Sequence, residues 1–118
     1  MKLRIKSNSI RLRLTKTEVG QLVKEGIVSD YFIIGGNRFE YTLKSHNALK
    51  FSAELKDNHL IILMPSEKIS GWDINDKVGF ETTLENDLYI LIEKDFKCLT
   101  ERKHEIEDDM YQNPRSSH

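Results

Sequence analysis

One cysteine, two prolines and one tryptophan in 118 residues leave this chain few covalent or conformational devices for holding a shape. Cys98 has no partner within the chain, so an intrachain disulfide is excluded and a reducing compartment fits. It reads as a small buried apolar thiol, since a nucleophilic cysteine needs a base and an electropositive setting. No stretch approaches the ~18 consecutive apolar residues of a membrane span, and the N-terminus lacks the apolar run of a secretory signal. A cytoplasmic location with no membrane partner is therefore expected. Neither sign of charge dominates: 18 Lys and Arg stand against 19 Asp and Glu, a formal net charge of −1 that gives no general attraction to nucleic acid. Chemical motifs are equally scarce. His46, His59, His104 and His118 show no metal-ligand spacing, Cys98 with His104 makes only a lone pair, and Gly35-Gly36-Asn37-Arg38 is a turn rather than a phosphate loop. No catalytic residue and no cofactor are expected.

What the chain does have is local. In MKLRIKSNSIRLRL the aliphatic residues share one parity, and Lys2, Arg4, Lys6, Arg11 and Arg13 share the other. An even-length turn at Asn8-Ser9 would set Lys6 against Arg11, Ile5 against Leu12, Arg4 against Arg13 and Leu3 against Leu14. A three-residue loop would scramble both faces. Like charges directly opposite repel, so this basic ladder needs something negative beside it. Its face carries no aromatic residue on which a base could stack, which makes nucleic acid an unlikely partner.

The rest of the chain predicts a single α+β domain, residues 1–118, of ordinary size for one core. Thr15-Lys16-Thr17-Glu18 has capping-box spacing, Leu14 and Val19 stand where a hydrophobic staple would, and Gly26 is a stop; a helix is expected over 16–25. Gly20 inside it hints at close packing. Strands follow over 27–34, from Arg38 to Lys44, from Leu49 to Lys56 and through the apolar run Leu60–Met64, with turns at Gly35-Gly36-Asn37 and Asp57-Asn58. Pro65 opens a second short helix through Trp72. Val78–Leu84 and Leu88–Lys94 close the pattern as a hairpin. No internal repeat is visible. The expected architecture is a mostly antiparallel curled sheet or partly closed barrel of about seven to eight strands, with an N-terminal hairpin and two short helices.

Two sources of negative charge could answer the ladder. Glu40, Glu54, Glu81 and Glu93, with Lys44 and Lys50, fall opposite in parity to the core. Turned inward, this face would line a cleft for a polyanion, with Arg4, Lys6, Arg11, Arg13, Lys44 and Lys50 as anion-binding candidates and Glu54, Glu81 and Glu93 as weak metal candidates. Turned outward, it is a salt-bridged surface. The other source is the segment 95–118, with Glu101, Glu105, Glu107, Asp108 and Asp109. Its Phe96, Leu99, Met110 and Tyr111 would anchor it partly on the domain, its end being disordered. The leading expectation is a small binding or interaction protein whose basic face meets an acidic segment or an anionic ligand. The alternative is an anion- or polyphosphate-binding, metal-dependent phosphoryl-handling enzyme.

The opening KLRIK-x-NSIRLRLT-x-x-EV, then Trp72-Asp73 and Lys77-Val78-Gly79-Phe80-Glu81, and the ending EKDFKCL with its acidic residues and Asn113-Pro114, resemble a small uncharacterised bacterial family. The resemblance spans nearly the whole chain and implies a stand-alone protein, a domain of unknown function, with Asp95, Cys98, Arg102 and the acidic cluster in its pattern. A weaker comparison is with triphosphate-tunnel enzymes. Those begin E-x-E-x-K, where this chain has Lys2, Arg4 and Lys6, a departure that removes the expected metal ligands.

Overall fold

The alternation of apolar and polar residues dictates strands with one buried face, and a computed structural model, which describes residues 1–96, resolves them into two sheets. In chain order the elements are β1 (Lys2–Lys6), β2 (Ser9–Leu14), α1 (Lys16–Glu25), β3 (Ile27–Ile34), β4 (Asn37–His46), β5 (Ser52–Lys56), β6 (His59–Pro65), α2 (Ser66–Ile69), β7 (Gly79–Thr83) and β8 (Tyr89–Lys94). Sheet A has the order β1-β2-β8-β7 and sheet B the order β3-β4-β6-β5. The expected single curled sheet or partly closed barrel is thus replaced by two four-stranded sheets. The cause is pairing at each centre: β2 lies parallel to β8 and β4 parallel to β6, so sheet A joins the first hairpin to the last and sheet B joins the two hairpins between them. The other pairings are antiparallel, and eight strands agree with the expected number.

Local signals behave as their chemistry requires. Thr15 caps α1: its hydroxyl accepts from the Glu18 amide at 3.2 Å, and the Glu18 carboxylate accepts from the Thr15 amide at 2.8 Å. Gly26 ends the helix at φ 79°, a left-handed conformation that costs glycine nothing. Gly20 does not mark close packing, since an added Cβ would meet nothing within 4 Å. The close approach is at Gly79, where a Cβ would sit 2.5 Å from the Ile92 carbonyl oxygen. Several strand boundaries move. β5 starts at Ser52, leaving Leu49 exposed, and β4 starts at Asn37, with the turn confined to Gly35 and Gly36. The second helix is only Ser66–Ile69, with Pro65 as the last residue of β6.

The N-terminal hairpin keeps its even turn but slides it by one residue. Ser7 and Asn8 form the turn, with Ser7 at φ 51°, so Lys6 pairs with Ser9, Ile5 with Ile10, Arg4 with Arg11 and Lys2 with Arg13. The slide lets Ser9 join β2: its hydroxyl donates to the Lys6 carbonyl at 2.6 Å, and the Asn8 carbonyl accepts from the Tyr89 amide at 3.0 Å. Moving an even turn by one leaves every side chain on its own face, so the basic ladder survives with different partners.

An internal repeat is present. Each half of the described chain is ββαββ, and exchanging the halves maps sheet A onto sheet B. The row Ile5–Ile10–Ile90–Thr82 in sheet A corresponds to Leu55–Leu60–Tyr41–Asp30 in sheet B. Hydrogen bonds outside the ladders repeat as well: the Ser45 amide to the Gly26 carbonyl at 2.8 Å matches Lys94 to Val78 at 2.9 Å, and Glu40 to Asn58 matches Tyr89 to Asn8, both at 3.0 Å. Between residues 1–19 and 51–69 only Lys6 and Asn8 keep their identity, as Lys56 and Asn58. Parity is preserved while identity is not, so the sequence hides the repeat. One core joins the halves, with Leu12, Leu14 and Leu22 facing it from one and Ile62, Met64 and Trp72 from the other.

One corner of the fold, between β1 and β3, is closed by the chain's first residue. The Met1 ammonium donates to the Glu18 carboxylate and, at 3.1 Å, to Asp30, while the Tyr41 hydroxyl donates to the Met1 carbonyl at 2.8 Å. Burial opposes the charged amine, but hydrogen bonds to Glu18 and Asp30 outweigh it and raise its pKa above the ordinary 8.0. The Asp30 carboxyl is held below its ordinary value, first by the Tyr31 amide and then, against burial, by this ammonium. A raised folded-state pKa gives stability that is complete below the unfolded value and lost as pH rises through the folded one. The melting temperature is therefore expected to fall from about pH 8 upward, and less steeply in Asp30→Asn. Thermal melts across that range check it; identical slopes in the two proteins would remove the clamp.

Candidate functional site

Strand parity places Lys2, Arg4 and Lys6 of β1, Ser9, Arg11 and Arg13 of β2, Tyr89, Leu91 and Glu93 of β8 and Glu81 of β7 on the outer face of sheet A. Arg4 stands directly opposite Arg11, and Lys2 opposite Arg13. Charge balance then differs along the ladder. At one end Glu93, beside Arg13 in the parallel register, accepts from Arg11 Nε at 2.5 Å and Arg13 Nε at 3.0 Å, and Lys2 Nζ lies 3.2 Å from the Asp95 carboxylate. At the other end Arg4 and Lys6 are exposed and have no ion pair among the described residues.

Between them lies a depression of about 170 Å³, lined by Arg4, Lys6, Ser9, Arg11, Tyr89 and Leu91. Tyr89, which lines it, is held from outside the depression: its hydroxyl donates to Glu81 at 2.5 Å, and that carboxylate raises the phenol's pKa. Arginine is suited to such a place because its planar fork meets an oxyanion through two parallel donors. The depression can thus hold one anionic group against two guanidinium groups and an ammonium.

Of the anion-binding candidates, the structure brings Arg4, Lys6 and Arg11 together and ties Arg13 to Glu93. Lys44 lies on the outer face of sheet B, and Lys50 lines a separate cavity between β5 and β7. The metal candidates are not gathered: Glu54 is on sheet B, Glu81 is bonded to Tyr89 and Glu93 to two arginines. No group of three or more His, Cys, Asp or Glu side chains among the described residues could hold a metal. Ser9 and Tyr89 were missed by sequence reasoning. Tyr89 shares the parity of Glu93, and that was the available signal; the parallel neighbour that brings it to Ser9 was not. The expected docking of the acidic segment on the ladder falls mainly on residues 97–118, outside the described residues. No helix among the described residues is long and apolar enough to cross a membrane.

The repeat supplies an internal comparison. The row Arg4–Arg11–Leu91–Glu81 corresponds to Glu54–Ile61–Thr42–Ser29, and Arg13 corresponds to Leu63. There the Thr42 hydroxyl bonds to Ser29 at 2.7 Å and to His59 at 2.8 Å, and no basic ladder exists. The same backbone positions fold without arginines, so the fold does not require them. Against known proteins, the model of a family described as "Family of unknown function (DUF7009)" matches residues 1–115. No curated protein and no solved structure matches the chain.

Proposed function

We propose, for a chain that belongs to the family of unknown function DUF7009, a binding role in which the outer face of sheet A takes an oxyanion, either the carboxylates of an acidic protein segment or a phosphoryl group. The observation that supports it best is the half-balanced ladder. Glu93 and Asp95 answer Arg11, Arg13 and Lys2, while Arg4 and Lys6 face a depression with no carboxylate of the described residues paired to them. Directly opposed arginines cost stability that the fold does not need, as the neutral and acidic equivalents in sheet B show.

Titration with phosphate, tripolyphosphate and a glutamate-rich peptide, followed by calorimetry at low salt, tests this reading and separates the two oxyanion sources. Saturable binding is expected, weakened at least about tenfold, or ~1.4 kcal/mol, in Arg4→Ser with Arg11→Ser, and weakened further by added salt. Absence of binding by all three would overturn it. If the chain's own acidic segment competes for the face, deleting residues 101–118 tightens binding of every probe. Phosphoryl transfer as the role gains no support from the geometry, because Glu54, Glu81 and Glu93 do not converge.

A further inference from the structure

The pseudo-two-fold relation gives the β1/β3 corner a counterpart between β5 and β7, and the two corners are finished differently. At the first, Met1 places its ammonium between Glu18 and Asp30. At the second, Phe51 stands at the position of Met1, Lys68 at that of Glu18 and Thr82 at that of Asp30. Met1 and Phe51 are both buried, and the helix residues following Glu18 and Lys68, Val19 and Ile69, are buried alike, so the equivalence holds at the level of packing. The first corner is filled. The second is left open to solvent, as a cavity of about 790 Å³.

Its chemistry is the inverse of the corner that binds an ammonium. Lys68 and Lys50 line it and make no side-chain hydrogen bond or ion pair among the described residues. The Tyr41 hydroxyl, which holds Met1 in the first corner, is replaced by Ile90. Leu49, Phe51, Ala53 and Leu84 give the wall an apolar stretch, and Leu49 is 80 % exposed. Of the two acids at the rim, Glu81 is engaged by the Tyr89 hydroxyl, and Glu85 sits on the exposed turn before β8. The volume lies in the range of small-molecule sites, in which an apolar lining and a few charged groups fix orientation.

We propose that this cavity binds a small amphipathic acid, its carboxylate or phosphate head at Lys68 and Lys50 and its apolar body along Phe51, Ala53 and Leu84. The site is distinct from the outer face of sheet A. Its apolar wall selects against the bare oxyanions that suffice there, and its charge selects against amines.

Amide-resolved NMR titration of the full chain with octanoate, octyl phosphate, octylamine and inorganic phosphate tests the proposal. Octanoate or octyl phosphate is expected to shift the amides of Phe51, Ala53, Thr82 and Leu84 saturably, and the stronger of the two identifies the head group. Lys68→Glu, an exposed change that copies the acid of the first corner, is expected to weaken that binding about tenfold and to admit octylamine. Arg4→Ser with Arg11→Ser leaves it unchanged, so failure here and failure of the outer-face site are told apart. Equal binding of octylamine by the unaltered chain, no saturable shift at these amides with either acid, or unchanged affinity in Lys68→Glu would each overturn it.

Discussion

Trp72→Ala is expected to cost about 3–5 kcal/mol. The side chain is fully buried, its ring meets Phe80 edge-on at 5.1 Å between centroids, and its indole N–H donates to the Lys77 carbonyl at 2.8 Å. Three losses combine: transfer of a large aromatic from water, a cavity that the opposing β-sheets cannot close, and a carbonyl left without its donor. The location adds to the effect. Trp72 sits in the connection between α2 and β7, which carries the chain from sheet B to sheet A, and in the first half its place is taken by Leu22, also fully buried. Leu22→Ala removes less surface and no hydrogen bond, so its loss is expected nearer the lower end of ~2–5 kcal/mol. Against a typical total of ~5–15 kcal/mol, the tryptophan variant is marginal near room temperature. Urea unfolding checks it: the midpoint falls sharply while the slope is kept. A loss below about 1 kcal/mol would mean that the second connection carries little of the core.

How much of this was legible in the sequence depends on the range of the interaction. Thr15, Glu18 and Gly26 act within one helix turn, and their chemistry is readable because each satisfies groups that the helix must leave free. The face of every arginine in β1 and β2 was readable because parity is insensitive to a one-residue slide of an even turn. The pairings were not, because Ser9 enters β2 through contacts with Tyr89, eighty residues away. The same distance hid the partner of the ladder. Glu93 reads from parity as a possible metal ligand, yet it stands beside Arg13 by virtue of a parallel pairing that no local pattern announces. Lys44, Lys50 and Glu54 share the parity of the ladder but belong to sheet B or its edge, since parity assigns a face and not a sheet. The second role of Glu18, holding Met1 as well as capping α1, was hidden for a related reason: the capping box lies within three residues, whereas Met1 is seventeen residues away.

Glu93→Gln is expected to lower stability and tighten oxyanion binding at once, a pairing of signs that a merely structural carboxylate would not produce. The side chain is 15 % exposed and accepts two charge-assisted hydrogen bonds, from Arg11 Nε and Arg13 Nε. Glutamine keeps the shape and one acceptor but loses the charge that stands between two arginines. Breaking a buried pair of this kind costs ~3–5 kcal/mol, and the exposure of Arg11 and Arg13, 30 % and 24 %, lets water recover part of it. The expected loss is about 2–3 kcal/mol. In the same substitution Arg11 is released toward Arg4 and Lys6, and the face gains one positive charge. Phosphate or tripolyphosphate should then bind about three- to tenfold more tightly at low ionic strength, the gain shrinking as salt shortens the Debye length. Calorimetric titration beside thermal unfolding reads both numbers from one preparation. Unchanged affinity would remove Arg11 from the site. Weaker binding would mean that Glu93 contributes by aiming the Arg11 guanidinium, and that its geometry outweighs its charge.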